Sequence, residues 1–427
     1  MLYNESMEKV KNKNLSKVLS LLVAIMLICS ALLFSACGNS SGDNQEPLIL
    51  TAEQKINKLY DSYWNDKTSY GFQVKNGTIY LGKYEYYGIG VNSYSLFIDA
   101  VYNDFSAQTV SEAFKILSSY DIKVIRFDCG MYYGNELKYF LDSETKPKYL
   151  KLINNIFSLA EQYKIGLIPS FFWNIDSVPD YYNEDRTAWG DITSKTTHYL
   201  EYYTTTIANE IKDYKSLFAW EFGNEFMLNC DIPDSSKKFS CDDITVCYKL
   251  FTDTISKIDT HKRMIETGDA NIRSSQYNQW KNGIWKADTI EERYEVYDTT
   301  HPSKMTAISE HVYDIGHDDK AQFDDPLNYL KTMKSLSKAL NKAYIVGEWG
   351  SYNENAKCFD NYNTFAGYLM TARVQLSFVW NYDYIWNSEK QKPRTEYSFC
   401  HYNEFGRNVL SFIQSANINY ADLLKIK

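Results

Sequence analysis

The sequence predicts an α/β fold, a (β/α)8 (TIM) barrel with enlarged loops after its strands, and three observations predict it. Eight short apolar runs alternate with amphipathic stretches between residues 87 and 380. Runs of this kind suit strands buried on both faces and joined by crossover helices. The ends of the runs, at Asn92, Arg126, Ser170, Glu225, Glu266, His311, Glu348 and Trp380, lie 32 to 55 residues apart, room for one helix and its loops each time. Polar, charged and aromatic residues crowd at those ends, and in a barrel such ends converge on one mouth.

Taken in order, the expected strands are 87–92, 124–127, 166–170, 218–221, 264–266, 307–311, 344–348 and 376–380. Helices are expected between them. Residues 109–119 carry Thr109 as a plausible N-cap, and 149–163 repeat Leu150, Ile153, Ile156 and Leu159 at helical spacing. Stretches 194–214, 245–260, 325–340 and 363–376 supply four more. An open doubly wound sheet is the competitor, but the Gly-rich nucleotide loop that often marks it is missing after the first strand. Before the barrel, 51–70 reads as a short helix with an extension and 78–81 as a small strand.

The N-terminus reads as an address. Lysines precede an apolar stretch over 18–34, followed by Ser35-Ala36-Cys37-Gly38, the order of an export signal with small residues before its cleavage point. Small residues directly before a cysteine look like a bacterial lipobox, with Phe34 where leucine is usual. Residues 1–36 are then a lipoprotein signal peptide, Cys37 the lipidated residue, and polar 37–50 a flexible tether. The domain 51–427 is expected on the extracellular face of a bacterial membrane, held through lipid.

Composition narrows the partners. The formal charge of −9 becomes −11 without 1–36, which hold four lysines and two glutamates. Such a surface repels phosphate backbones, so nucleic acid is excluded as a partner. The 37 tyrosines and 9 tryptophans suit stacking on sugar faces, and equally suit an AT-rich codon bias. Six cysteines follow the tether: Cys129, Cys230, Cys241, Cys247, Cys358 and Cys400. Outside the cytoplasm a Cys230–Cys241 bridge could pin the polar loop between them, one of fifteen formal connectivities. No Cys/His spacing fits a metal, so neither metal nor cofactor is expected.

The chemistry lies in two stretches. Leu217 to Glu225 is an apolar run ending in Trp220-Glu-x-x-Asn224-Glu225; Ala343 to Gly350 is another, ending in Glu348 beside Trp349. Two glutamates at strand ends are the minimum equipment for hydrolysing a glycosidic bond with one acid and one nucleophile. Arg126 after strand two, Asn224-Glu225 after strand four, His311-x-Tyr313 after strand six, Glu348 after strand seven and Trp380 after strand eight together resemble clan A glycoside hydrolases. The likeness is to family five, the cellulase and mannanase family, over 87–412.

The resemblance implies a retaining enzyme acting on β-1,4-linked polysaccharide, with Glu225 as acid/base and Glu348 as nucleophile. Arg126 and Tyr313 would hold Glu348 ionised, Asn224 would bond the sugar 2-hydroxyl, His311 would stand near the acid/base, and Trp380 would form the floor. Asn92 joins these at the end of strand one, with Trp173 and Trp386 as candidate sugar platforms. Glu266 is read instead as a capping residue or a lysine partner. The chain departs from the family where many cellulase-type members place a histidine after strand three and proline after the acid/base. It has Ser170-Phe-Phe-Trp173-Asn174 and Phe226 there; the mannanase-like branch often lacks that histidine and carries a Trp-Glu-x-x-Asn-Glu run like the one here, so the resemblance favours β-mannan over β-glucan. A monomer is expected. Two other readings compete: an idle glycan-binding lipoprotein on the same barrel, and an exo-acting glycosidase or transglycosylase. Activity on polymer against aryl glycoside separates them.

Overall fold

The computed structural model describes residues 49–132, 135–230, 239–313, 325–352, 358–384 and 395–426. Signal, tether and Cys37 therefore lie outside the described residues, as does Trp386. Leu50–Lys427 is one compact unit.

After an opening helix, Ala52–Asn65, come three short strands: β1 (Phe72–Lys75), β2 (Thr78–Leu81) and β3 (Tyr84–Glu85), an antiparallel sheet in that order. Eight parallel strands follow: β4 (Gly88–Asn92), β5 (Val124–Asp128), β6 (Gly166–Phe172), β7 (Ala219–Gly223), β8 (Met264–Glu266), β9 (Ala307–His311), β10 (Ala343–Trp349) and β11 (Leu376–Val379). Every residue of these eight is buried, which is why their apolar runs are continuous instead of alternating. Pairing runs from β4 to β8 and from β9 through β10 and β11 back to β4. Between β8 and β9 the ladder gives way to a single residue, Thr306. Its amide donates to the Ile265 carbonyl at 2.9 Å and its hydroxyl accepts from the Ile265 amide at 3.0 Å, which closes the barrel.

All eight strands fall where the sequence places them, but the helices differ at their starts. Helix Gln108–Ser119 begins after Ala107 without a side-chain cap, so Thr109 lies inside its first turn. Helix Cys241–Ile258 starts earlier than expected because Ser240 and Asp243 form a reciprocal capping box. Ile290–Thr300, started by a Thr289/Glu292 box, and Glu404–Tyr420, capped by Asn403, complete the outer ring unanticipated. Ser194 and Asp325, the first residues of two expected helical stretches, are the N-caps of their helices.

The base of the barrel is closed by helix Ala52–Asn65 and the β1–β3 sheet. Leu59, Tyr63, Phe72, Ile79 and Leu81 pack against the first residues of the barrel strands, including Val124, Phe218, Ala343 and Leu376. Gln375 locks this plug in place: its amide nitrogen donates to the Ile79 and Tyr86 carbonyls, each at 3.0 Å, and its oxygen accepts from the Ile79 amide at 2.8 Å. With the base sealed, the strands' C-terminal ends are the open face.

Candidate active site

Arg126, fully buried within β5, organises that face. Its Nε donates to Glu221 Oε2 at 2.7 Å on β7, and its Nη1 to Asn92 Oδ1 at 2.9 Å on β4 and Glu348 Oε1 at 2.7 Å on β10. Nη2 donates to Asn224 Oδ1 at 2.8 Å. Burial alone would make this guanidinium easier to deprotonate, but Glu221 and Glu348 outweigh it and keep the charge in place. Asn92 is itself oriented, its amide donating to the Gly347 carbonyl at 3.0 Å.

Glu348 receives a second donor, the Tyr313 hydroxyl, at 2.7 Å on Oε2. The sequence reading expects these donors to hold Glu348 ionised; both favour the charged form, and burial works against them. Burial is the largest influence and, with Glu225 nearby, raises the Glu348 carboxyl above its usual range despite His311, Arg126 and Tyr313. Glu225 is raised too, by burial, against Arg126 and Arg273. It keeps 34% of its side chain open where Glu348 keeps 5%. His311 Nδ1 lies 2.9 Å from Glu225 Oε1. Burial pushes the imidazole down to about 4, so it is neutral at ordinary pH.

One oxygen of Glu225, one of Glu348 and one His311 nitrogen all lie within 4.8 Å of each other. Among the described residues this is the one cluster compact enough to hold a metal ion, but Arg126 already places a cation 2.7 Å from Glu348. Two carboxyls so close cannot both ionise cheaply, and their titration belongs to the pair.

Aromatic rings complete the mouth. Trp380, following β11, stacks on Tyr94 at 5.3 Å and 18° and on Trp173 at 6.0 Å and 20°. Trp173 is only 8% exposed and covers the Arg126 guanidinium at 4.9 Å, so it backs Trp380 more than it offers a face of its own. On the other side Tyr397 touches Tyr313 at 5.0 Å and stacks on half-exposed Tyr352 at 4.5 Å. Phe226, where the family often has proline, packs against Phe222 and Trp189 in the core.

The structure thus brings Asn92, Arg126, Asn224, Glu225, His311, Tyr313, Glu348 and Trp380 together. Sequence reasoning missed Tyr94, Tyr397, Arg273 and Glu221. Only Glu221 left a signal, a charge inside an apolar run that demands a buried partner. Among the described residues Glu266 is neither a cap nor a lysine partner: it sits fully buried beside Glu221 in the β7/β8 register. Burial and then Glu221 push its carboxyl well above the usual range. A raised carboxyl binds its proton more tightly folded than unfolded, so its stability contribution is lost as pH rises through the folded value. Glu266→Gln is therefore expected to fold normally at about pH 5 and to gain on the wild type toward pH 8 in thermal melts. A variant that melts progressively lower than wild type over that range would contradict the assignment.

The six cysteines are buried thiols. Cys230 and Cys241 are neighbours, unbridged here, and burial together with their interaction raises the Cys230 thiol.

No curated protein matches the chain. Solved structures do. An endo-1,4-β-mannanase from Rhizomucor miehei aligns with TM-score 0.60 at 16% identity, over 83% of this chain and 99% of that one. A hyperthermostable endo-1,4-β-D-mannanase from Thermotoga petrophila aligns with TM-score 0.59 at 11% identity, over 79% and 100%. XacCel5A in complex with cellopentaose gives 0.52 at 15% identity, over 78% and 99%. At these identities the likeness is one of fold. The family model described as Cellulase (glycosyl hydrolase family 5) matches residues 83–387, most of the barrel and every strand end described above, and the chain belongs to that family.

Proposed function

We propose that the protein is a retaining hydrolase of β-1,4-linked polysaccharide, with Glu225 as acid/base and Glu348 as nucleophile. The observation that carries the proposal is the carboxyl pair, with oxygens within 4.8 Å. Retaining enzymes hold their carboxyls about 5–5.5 Å apart, whereas inverting ones leave about 6.5–9.5 Å for a water. The partners support these roles. Glu348 accepts from a guanidinium and a phenol, which favours its charged form, so the proton of the pair rests on Glu225 beside a neutral imidazole. Glu225 then protonates the leaving oxygen as Glu348 attacks the anomeric carbon, and later deprotonates the water that releases the sugar. Asn224, its oxygen held by Arg126, turns its amide nitrogen to the 2-hydroxyl, and Trp380 supports the sugar ring.

β-Mannan is the favoured polymer over β-glucan. Support comes from the end of β6, where Trp173-Asn174 stands in place of the histidine of many cellulase-type members. The test is product analysis on mannan, glucan and xylan, with anomeric NMR following the first turnovers. Release of β-configured product from mannan ahead of the others is expected; α-product would overturn the retaining mechanism, and binding without turnover would make the barrel a glycan receptor. We place the domain on the outer membrane face through lipid on Cys37; Cys37→Ser should move the protein out of the membrane fraction, and unchanged partitioning would refute lipidation.

A further inference from the structure

We propose that Asp269 is a positioning residue for Glu225: its carboxyl, lodged between the Met227 amide and the Tyr248 hydroxyl, fixes the turn that holds Glu225 opposite Glu348. The proposal rests on the acid/base reading of Glu225 given above. Glu225 sits at φ 57° and ψ 32°, in the left-handed region. For a residue other than glycine this conformation is strained and persists only where the surroundings over-determine it.

The surroundings are the three residues Thr267, Gly268 and Asp269 after β8. The Thr267 carbonyl accepts from the Gly223 amide at 3.2 Å, and the Gly268 carbonyl from the Glu225 amide at 2.9 Å. Asp269 Oδ1 accepts from the Met227 amide at 3.1 Å. Successive residues of one loop grip alternate residues of the other. Gly268 makes the approach possible: at φ 71°, a Cβ there would lie 1.9 Å from the Gly223 carbonyl oxygen. The first two bonds use backbone alone, so Asp269 is the sequence-specific part of the grip.

Asp269 is fixed in turn. Its Oδ2 accepts from the Tyr248 hydroxyl at 2.5 Å, and Tyr248 is fully buried on helix Cys241–Ile258. Burial pushes the Asp269 carboxyl up to about 7; bonds from Tyr248, Met227 and Thr267 pull it down, and Glu225 pushes it up. A separate brace holds the far side of the turn. Asn229 donates to the Glu225 carbonyl at 3.3 Å while accepting from Arg186 at 2.7 Å, and Arg186 is paired with Asp176. Losing Asp269 should therefore loosen the turn without dissolving it.

The test compares kcat/KM of the full chain on the polymer it cleaves with that on a 2,4-dinitrophenyl glycoside of the same sugar. Dinitrophenolate leaves without a proton, so only the polymer needs a correctly placed Glu225. Asp269→Ala is expected to lower kcat/KM on polymer by about 100-fold and on the aryl glycoside by less than about 5-fold, in keeping with the size of general acid catalysis. Asp269→Asn, which keeps an oxygen for the Met227 amide, should regain most of the loss. If Asp269→Ala does not fold, Tyr248→Phe carries the test, with a loss of about 5-fold expected on polymer alone. Equal losses on both substrates, no loss on either, or an Asn variant no better than Ala would each overturn the proposal. Wild type inert on both substrates would overturn the hydrolase reading and this proposal with it.

Discussion

Glu348→Gln should fold like the wild type and lose activity by about 10,000-fold or more, the scale seen when a covalent nucleophile is removed. The amide keeps one acceptor for Arg126, while the Tyr313 hydroxyl can rotate, so the structural cost is small. Glu225→Gln should lose about 100- to 10,000-fold on polymer, the range for general acid catalysis, and much less in kcat/KM on an activated aryl glycoside. The contrast between the variants is the diagnostic part: the nucleophile is needed for every leaving group, the acid only for poor ones. Matching melting curves would establish that both are folded. A Glu348→Gln enzyme retaining a tenth of wild-type activity on any substrate would move the nucleophile elsewhere.

Arg126→Met should fail in two ways at once. It removes the cation from Glu221 and Glu348, both buried, and leaving buried carboxylates unpaired costs about 3–5 kcal/mol. Glu348, already raised by burial, loses one of the groups that oppose the rise and becomes a protonated, poor nucleophile. The pH sign follows. A carboxyl whose folded value is raised contributes stability below its unfolded value and loses it as pH rises through the folded one. The variant should therefore lose least in melting temperature at about pH 4.5 and most at about pH 8. Arg126→Lys is expected to rescue little, because one ammonium cannot reach Glu221, Asn92, Asn224 and Glu348 in four directions. A lysine variant with near wild-type stability and turnover would show that the fork geometry is unnecessary.

The strands were legible because a parallel sheet covered on both faces leaves unbroken apolar runs, and the mouth was legible because each run ended in a residue unlike it. That Arg126 and Tyr313 meet Glu348 is legible only through the family resemblance that those ends carry. The direction of the Glu348 shift is not legible there, since it depends on burial as well as on partners, and burial follows from elements distant in sequence. Glu266 misled for a related reason: a glutamate at a strand end looks the same whether it faces solvent or the neighbouring Glu221. Asp269 and Arg273 lie in a loop without periodicity, and only the approach of that loop to Glu225 gives them meaning. Helix Ile290–Thr300 was marked by Thr289 and Glu292, a capping signal that its weakly amphipathic sequence concealed.

The reach of Arg126 across β4, β5, β7 and β10 also limits how the protein can change. Where one side chain both ties the scaffold and charges the reacting group, no substitution can trade activity against robustness, because both fall together. Drift in sugar preference must then proceed where the strands are not joined, on an outlying surface such as that of half-exposed Tyr352, stacked on Tyr397. The centre stays constant so that the periphery can vary.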